Sequence, residues 1–215
     1  MELPVAETLK TQFWCIRTLN NMQKIILASS SLNRKMLMDA LNIPYEIIPA
    51  DIDEKAIRDD DLSKRAEKIA RAKAEKVAES HRGIIIAADL FAVHDGKVYE
   101  KPATIEEARQ MLKEESGNND SKLYSGVCYI DKENNIDYST CVVIEFSTRK
   151  YSDREIDEAI KKYPVLTWSG GFSPTNTFGL TMISKINGSI TGFIHGFPME
   201  IIIPLLEKSG VKIIP

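Results

Sequence analysis

Between Lys24 and Leu37 an apolar run, Ile25-Ile26-Leu27-Ala28, gives way to three hydroxyl side chains, Ser29, Ser30 and Ser31. Arg34 and Lys35 then fall on the first turns of a helix. A buried strand that ends in small polar residues and enters a helix N-terminus directs backbone N–H groups, hydroxyl donors and the positive helix end at one spot. Such a spot favours a phosphate. A second apolar run, Ile84 to Ala88, ends on Asp89. An uninterrupted apolar strand is a central one covered on both faces. Ligands of open α/β sheets bind beyond the carboxyl ends of such strands, so a carboxylate delivered there is placed for chemistry. Three more charged residues stand out: Glu54 in the acidic loop Asp51-Ile52-Asp53-Glu54, Lys73 on an otherwise apolar helical stripe, and Lys101 in Glu100-Lys101-Pro102.

Several elements must position these groups. A helix over about residues 31–42, with Met36, Leu37, Ala40 and Leu41 inward, and a strand over Tyr45 to Ile48 complete a βαβ-like start. A helix from about Leu62 to Ser80 carries Leu62, Ala66, Ile69, Lys73 and Val77 on one face. Phe91 to His94 and Lys97 to Glu100 form a hairpin across the turn Asp95-Gly96. Thr104 with Glu107, and Ser152 with Glu155, are capping boxes; the first helix runs to about Glu115 and closes at Gly117, the second ends before Pro164. Leu123 to Ile130 and Ile136 to Phe146 pair across the polar turn Asp131 to Asn135. Residues 164–179, rich in Gly, Ser, Thr and Pro, are expected to be a mobile loop. A strand to Ile186, the turn Asn187-Gly188, another strand and a helix near Pro198 to Ser209 close the chain. His195 is expected to be structural, and His81 and His94 to be exposed.

The composition excludes several classes. The 215 residues are 43% hydrophobic and 27% charged, with a net charge of -3 from scattered charges, so this is a globular chain without the basic footprint of a nucleic-acid binder. Cys15, Cys128 and Cys141 are widely separated and lack the spacing of a zinc site or disulfide framework, which makes a reducing cytosol the simplest setting. In residues 1–21 the longest apolar run, Phe13-Trp14-Cys15-Ile16, is too short for a signal-peptide core or a membrane span. Leu9, Phe13, Ile16 and Leu19 fall at helical spacing in this extension, and Met22 is a candidate alternative start. Residues 22–215 read as one domain.

Together these residues resemble the Maf family of nucleoside triphosphate pyrophosphatases. The resemblance runs over about residues 22–215 through Ser29-Ser30-Ser31-Leu32-Asn33-Arg34, Asp53-Glu54, Lys73-Ala74, Ala88-Asp89, Lys101-Pro102, Ser116-Gly117, Ser125-Gly126-Val127, Lys185-Ile186-Asn187-Gly188-Ser189 and Gly196-Phe197-Pro198. It implies an α/β fold in which a mixed twisted sheet, flanked by helices, forms two lobes around a central cleft. The implied activity is hydrolysis of a nucleoside triphosphate to monophosphate and pyrophosphate, a house-cleaning of the nucleotide pool in the cytoplasm. Asp89, Lys73 and Lys101 would be catalytic, and Ser29, Asn33, Arg34 and Glu54 would bind substrate. A divalent cation, Mg2+ or Mn2+, would sit on Asp89 and Glu54, because magnesium is typically held by one or two carboxylates plus substrate phosphates. The other partners expected are neither nucleic acid nor membrane; the family commonly forms dimers, and the sequence leaves a homodimer open.

Four departures from the family pattern bear on specificity. Asn33 replaces the first of two paired arginines and removes a bidentate phosphate donor. Leu90 replaces a Thr after the aspartate, a His expected among residues 118–123 is absent, and Ser169 to Thr175 stands where the family carries Ala-Gly-aromatic-Gly-Ile-Gln. These departures keep an alternative open, a catalytically weak nucleotide-binding regulator linked to cell division.

Overall fold

The computed structural model describes residues 23–213. The expectations for residues 1–21, for Cys15 and for Met22 lie outside the described residues. Three consecutive buried aliphatic residues make β1 (Ile25–Leu27) a strand covered on both faces. Helix α1 (Leu32–Ala40) follows, and β2 (Glu46–Ile47) runs parallel to β1, completing the βαβ start. Helix α2 (Leu62–Ala78) begins at Asp61, whose carboxylate accepts from the amides of Ser63 and Lys64. The chain then forms β3 (Ile84–His94), turns at Asp95 and Gly96 with φ of 48° and 76°, and returns as β4 (Lys97–Tyr99). Positive φ at both turn residues matches the twist of the flanking strands.

Helix α3 (Ile105–Glu115) is capped by Thr104, with the Glu107 carboxylate reaching the Ala103 amide at 2.6 Å rather than that of Thr104 itself. Strands β5 (Ser121–Asp131) and β6 (Ile136–Thr148) form the long hairpin. Helix α4 (Asp153–Lys162) has both halves of its capping box in place. Helix α5 (Thr177–Met182), β7 (Ile183–Asn187), α6 (Ile190–His195) and α7 (Met199–Lys208) complete the order.

Three expectations are corrected here. The second strand after Asn187-Gly188 is instead α6: the Ser189 hydroxyl accepts from the Gly192 amide at 2.9 Å, and Gly196, at φ 59°, closes the helix. Residues 164–179 are tied into the fold rather than projecting from it. The Gly170 amide donates to the Glu100 carbonyl at 3.0 Å, and Gly170, Gly171 and Ser173 are buried. On α1 the buried residues are Arg34 and Met38, while Met36 and Ala40 face outward.

The seven strands form one mixed sheet in the order β2-β1-β3-β5-β6-β7, with β4 also on β3. Helix α2 covers one face, packing Ala70, Ala74 and Val77 on Ile26, Ile85 and Ala87. Helices α1 and α7 cover the other, with Met38, Ile202 and Leu206 on Ile25, Leu27, Ile84 and Ile86. A further cluster of Leu112, Tyr151, Ile156 and Met182 holds α3, α4 and α5 together.

The central strand β3 explains the cleft. One edge pairs with β5 along its whole length. The opposite edge pairs with β1 only at Ile84–Ile86 and with β4 only at Ala92–His94, so Ala87 to Phe91 face a gap in the sheet. Asp89 therefore lies near the middle of an 11-residue strand rather than at its carboxyl end. The strand continues because β5 supports it past the point where β1 stops.

Gly126 is paired with Asp89 across the sheet, and a Cβ there would stand 2.1 Å from the Ala66 carbonyl oxygen. The glycine lets α2 lie directly on the sheet beside Asp89. Overpacking of this kind typically costs about 1–3 kcal/mol. Gly126→Ala should lower the thermal midpoint by about 5 °C, read by calorimetry, because a 1 kcal/mol loss is worth about 2–4 °C in a chain of this size.

Contrary to expectation, His94 is buried, at 2% exposure, and His81 is half-buried. The His94 Nδ1 shares a 2.7 Å hydrogen bond with the Ser121 hydroxyl, and its Nε2 lies 3.8 Å from Glu115 Oε2. Both Glu115 carboxyl oxygens and the Tyr151 hydroxyl are buried without hydrogen-bond partners among the described residues. Burial pushes the Glu115 carboxyl up to about 8 and holds His94 down to about 4. Between its ordinary value of 4.5 and about 8, Glu115 keeps its proton when folded and loses it when unfolded, so stability falls as pH rises through that window. His94 acts oppositely, and only below its ordinary value of 6.5. Urea unfolding of Glu115→Gln should thus show a flatter decline than the parent between about pH 6.5 and 8.

Candidate active site

Asp89 projects from the β3 gap onto the face covered by α2, where Lys73 meets it. The Lys73 Nζ donates to Asp89 Oδ1 at 2.8 Å and lies 3.0 Å from Glu54 Oε1. Lys73 and Asp89 are both more than nine-tenths buried, at 8% and 7% exposure. The odd charge on the apolar stripe of α2 therefore points inward to a carboxylate instead of snorkelling to solvent. Glu54 arrives on a short 3-10 turn, Glu54–Ala56, opened by the Asp53 side chain, which accepts from the amides of Lys55 and Ala56. That turn decides which acid of the loop reaches the cleft.

Arg34 forms the other wall. Its Nη1 donates to the Ser29 hydroxyl at 3.0 Å and to the Ala88 carbonyl at 2.9 Å, while Nε donates to the Gly196 carbonyl at 3.2 Å. The Ala88 carbonyl belongs to the stretch of β3 facing the gap, so the guanidinium satisfies an acceptor that a missing strand would otherwise pair. Burial lowers the Arg34 pKa from its ordinary value, opposed by the carboxylates of Asp89 and Glu54. Its Nη2 makes no hydrogen bond among the described residues.

Ser29 serves this arginine, and its hydroxyl also accepts from the Ser31 amide at 3.3 Å. The N-cap of α1 is Ser31, whose side chain makes no cap bond, and the first turn holds no acidic residue. Among the described residues no side chain caps the amides of that turn.

Asn33 is half-buried on the first turn of α1, and its carbonyl takes a 3.0 Å bond from His195 Nδ1. His195 is thus the structural group expected, fastening the end of α6 to α1. Of the seven residues proposed from sequence, the structure brings Ser29, Arg34, Glu54, Lys73 and Asp89 into one connected cluster and sets Asn33 beside it. Lys101 is exposed and makes no ion pair or hydrogen bond among the described residues. Sequence reasoning missed the Gly196 carbonyl as an anchor for Arg34, although the Gly-Phe-Pro motif marked the position. It also missed the ion pair of buried Arg65 with Glu100, 3.0 Å apart, beside Lys101.

Asp89 Oδ2 and Glu54 Oε2 have no partner among the described residues. Two hard carboxylate oxygens beside an anion cradle suit a divalent cation that completes its shell with water and phosphate oxygens. Among the described residues no group of three or more His, Cys, Asp or Glu could cage a metal by itself.

A family model described as Maf-like protein matches residues 24–209. The chain belongs to the Maf-like family. It is 32% identical over 198 residues to the dTTP/UTP pyrophosphatase of Ruminiclostridium cellulolyticum, an alignment covering 90% of this chain and 100% of that protein. The dTTP/UTP pyrophosphatase of Syntrophomonas wolfei is 33% identical over 193 residues, 87% of this chain and 98% of that protein. A crystal structure described as a nucleoside-triphosphatase / dITP/XTP pyrophosphatase from Mycobacterium abscessus is 13% identical with a TM-score of 0.39, covering 87% of this chain and 96% of that one, too remote to bear on the site. The motifs that carried the family resemblance include the cluster residues: Ser29 and Arg34 on one wall, Glu54, Lys73 and Asp89 on the other.

Proposed function

We propose that the protein hydrolyses a nucleoside triphosphate to the monophosphate and pyrophosphate, with dTTP and UTP as the substrates to try first. The observation that carries this reading is the Lys73 ammonium held 2.8 Å from Asp89 and 3.0 Å from Glu54, carboxylates near enough to Arg34 to raise its pKa against the effect of burial. The relatives named dTTP/UTP pyrophosphatase support the choice of nucleotide.

Chemically, the amides of the first turn of α1 and the free Nη2 of Arg34 bind the phosphate chain. A divalent cation held by Asp89 and Glu54 would neutralise phosphate charge and polarise the reacting phosphoryl group. Asp89 accepts the proton of a water whose oxygen bonds to the α-phosphorus while the bond to the bridging oxygen breaks and pyrophosphate leaves. Lys73, already fixed by two carboxylates, moves little as charge builds on the phosphate oxygens, and Lys101 adds a second cation. Ser29 holds Arg34 in place.

Incubating the protein with each common nucleoside triphosphate and magnesium or manganese, then identifying the products, tests the proposal. Monophosphate plus pyrophosphate supports it. Release of orthophosphate alone, or tight binding without turnover, would reject it, the second result pointing to the regulator. Omitting the cation, or adding a chelator, should abolish turnover.

A further inference from the structure

Among the described residues Lys101 has no side-chain partner, yet the residue before it, Glu100, is tied through both its side chain and its backbone. Glu100 Oε1 accepts from Arg65 Nη2 at 3.0 Å and from Arg58 Nη1 at 3.4 Å. Its backbone carbonyl also takes the Gly170 amide at 3.0 Å. Glu100 thus fastens the exit of β4 to α2, to the loop after the Glu54 turn, and to the turn at Ser169–Gly171.

Arg65 makes a firm post for this tie. It is buried to 7% exposure, its guanidinium carbon lies 5.1 Å from the Phe91 ring centroid, and its Nε is buried without a partner among the described residues. Phe91 lies two residues beyond Asp89 on the same face of β3, so the post stands on the strand that carries the carboxylate. Arg58, four residues beyond Glu54, draws the loop toward the same oxygen. One carboxylate oxygen therefore sets the spacing between the wall carrying Glu54 and Lys73 and the strand exit carrying Lys101.

We propose that Glu100 is a positioning residue: through the Arg58–Glu100–Arg65 bridge it fixes the backbone of the adjoining Lys101 relative to the elements that carry Glu54, Lys73 and Asp89. This rests on the reading of Lys101 as a catalytic cation. Lys101 stands between this tied glutamate and the buried Pro102, so its backbone is placed by its neighbours rather than by contacts of its own, and misplacing a reacting group by about 1 Å can cost a rate factor on the order of 10².

The test compares Glu100→Gln, Glu100→Asp, Lys101→Ala and the double variant Glu100→Gln/Lys101→Ala. The readouts are kcat and KM for the preferred triphosphate and the thermal midpoint. Glu100→Gln should lower kcat by about tenfold with KM within about twofold, Glu100→Asp should recover part of the loss, and Glu100→Gln should add less than about twofold in the Lys101→Ala background. A damaged Lys101→Ala beside a parental Glu100→Gln, or full additivity in the double variant, overturns the positioning role alone. A parental rate in Lys101→Ala removes the catalytic reading of Lys101 and this inference with it. A kcat loss that simply follows the thermal midpoint across the set also counts against positioning.

Discussion

Asp89→Asn should lower kcat by about 10²-fold or more, close to 2.7 kcal/mol of transition-state stabilisation, while leaving the fold in place. The amide oxygen of asparagine can still accept from the Lys73 Nζ, which now donates to Asp89 Oδ1 at 2.8 Å, so the buried ammonium keeps an acceptor there as well as Glu54. What asparagine cannot do is take a proton from water or hold a cation by charge. Steady-state rates with dTTP or UTP and magnesium, together with the thermal midpoint, separate these effects. A purified variant that turns over at the parental rate would remove Asp89 from the mechanism.

Lys73→Met should be the more damaging substitution for the fold. Asp89, itself buried, and Glu54 share this one ammonium at 2.8 Å and 3.0 Å. Removing one partner of a buried pair leaves an uncompensated charge and typically costs about 3–5 kcal/mol. Two carboxylates left facing each other also repel the phosphate chain, so activity should fall by about 10²-fold or more. The double variant Lys73→Met/Asp89→Leu should be more stable than Lys73→Met alone while remaining inactive, because it removes the stranded charge and the general base together. Urea unfolding of the single and double variants measures the coupling; equal stabilities would mean that the pair contributes nothing to the folded state.

Much of the local structure was legible because its causes are local. The Thr104 cap, the capping box at Ser152, the Asp95-Gly96 turn and the apolar stripe of α2 depend on residues within one or two turns of one another, and each stands where its spacing predicts, except that Glu107 reaches the Ala103 amide in place of the other half of the first box. One failure was itself local: Ile190 and Thr191 suit a strand, yet the Ser189 cap and the Gly196 stop made the segment a helix. The others lie where tertiary packing overrides such spacing. Residues 164–179 have the composition of a free loop, but the Ser169 hydroxyl accepts from the Ala92 amide at 3.1 Å and donates to the Tyr99 carbonyl, filling the edge that β3 and β4 leave open. His94 has polar neighbours in sequence and was expected outside; the hairpin turns it onto Tyr99 and Phe146.

The sequence by itself determined the chemical inventory of this protein: a phosphate-favouring strand-to-helix turn, a carboxylate on a buried strand, a lysine out of place on an apolar helical stripe, and too few clustered metal ligands for a protein cage. Only the tertiary structure decided how these meet. It placed Asp89 beside a gap in the sheet instead of past a strand end, chose Glu54 from a loop of acids, and turned Arg34 inward onto carbonyls 54 and 162 residues away. The physical reason is separation along the chain. Caps and turns satisfy backbone groups close by, whereas a buried charge must find its partner through strand register and helix packing, and those are set by the whole core at once.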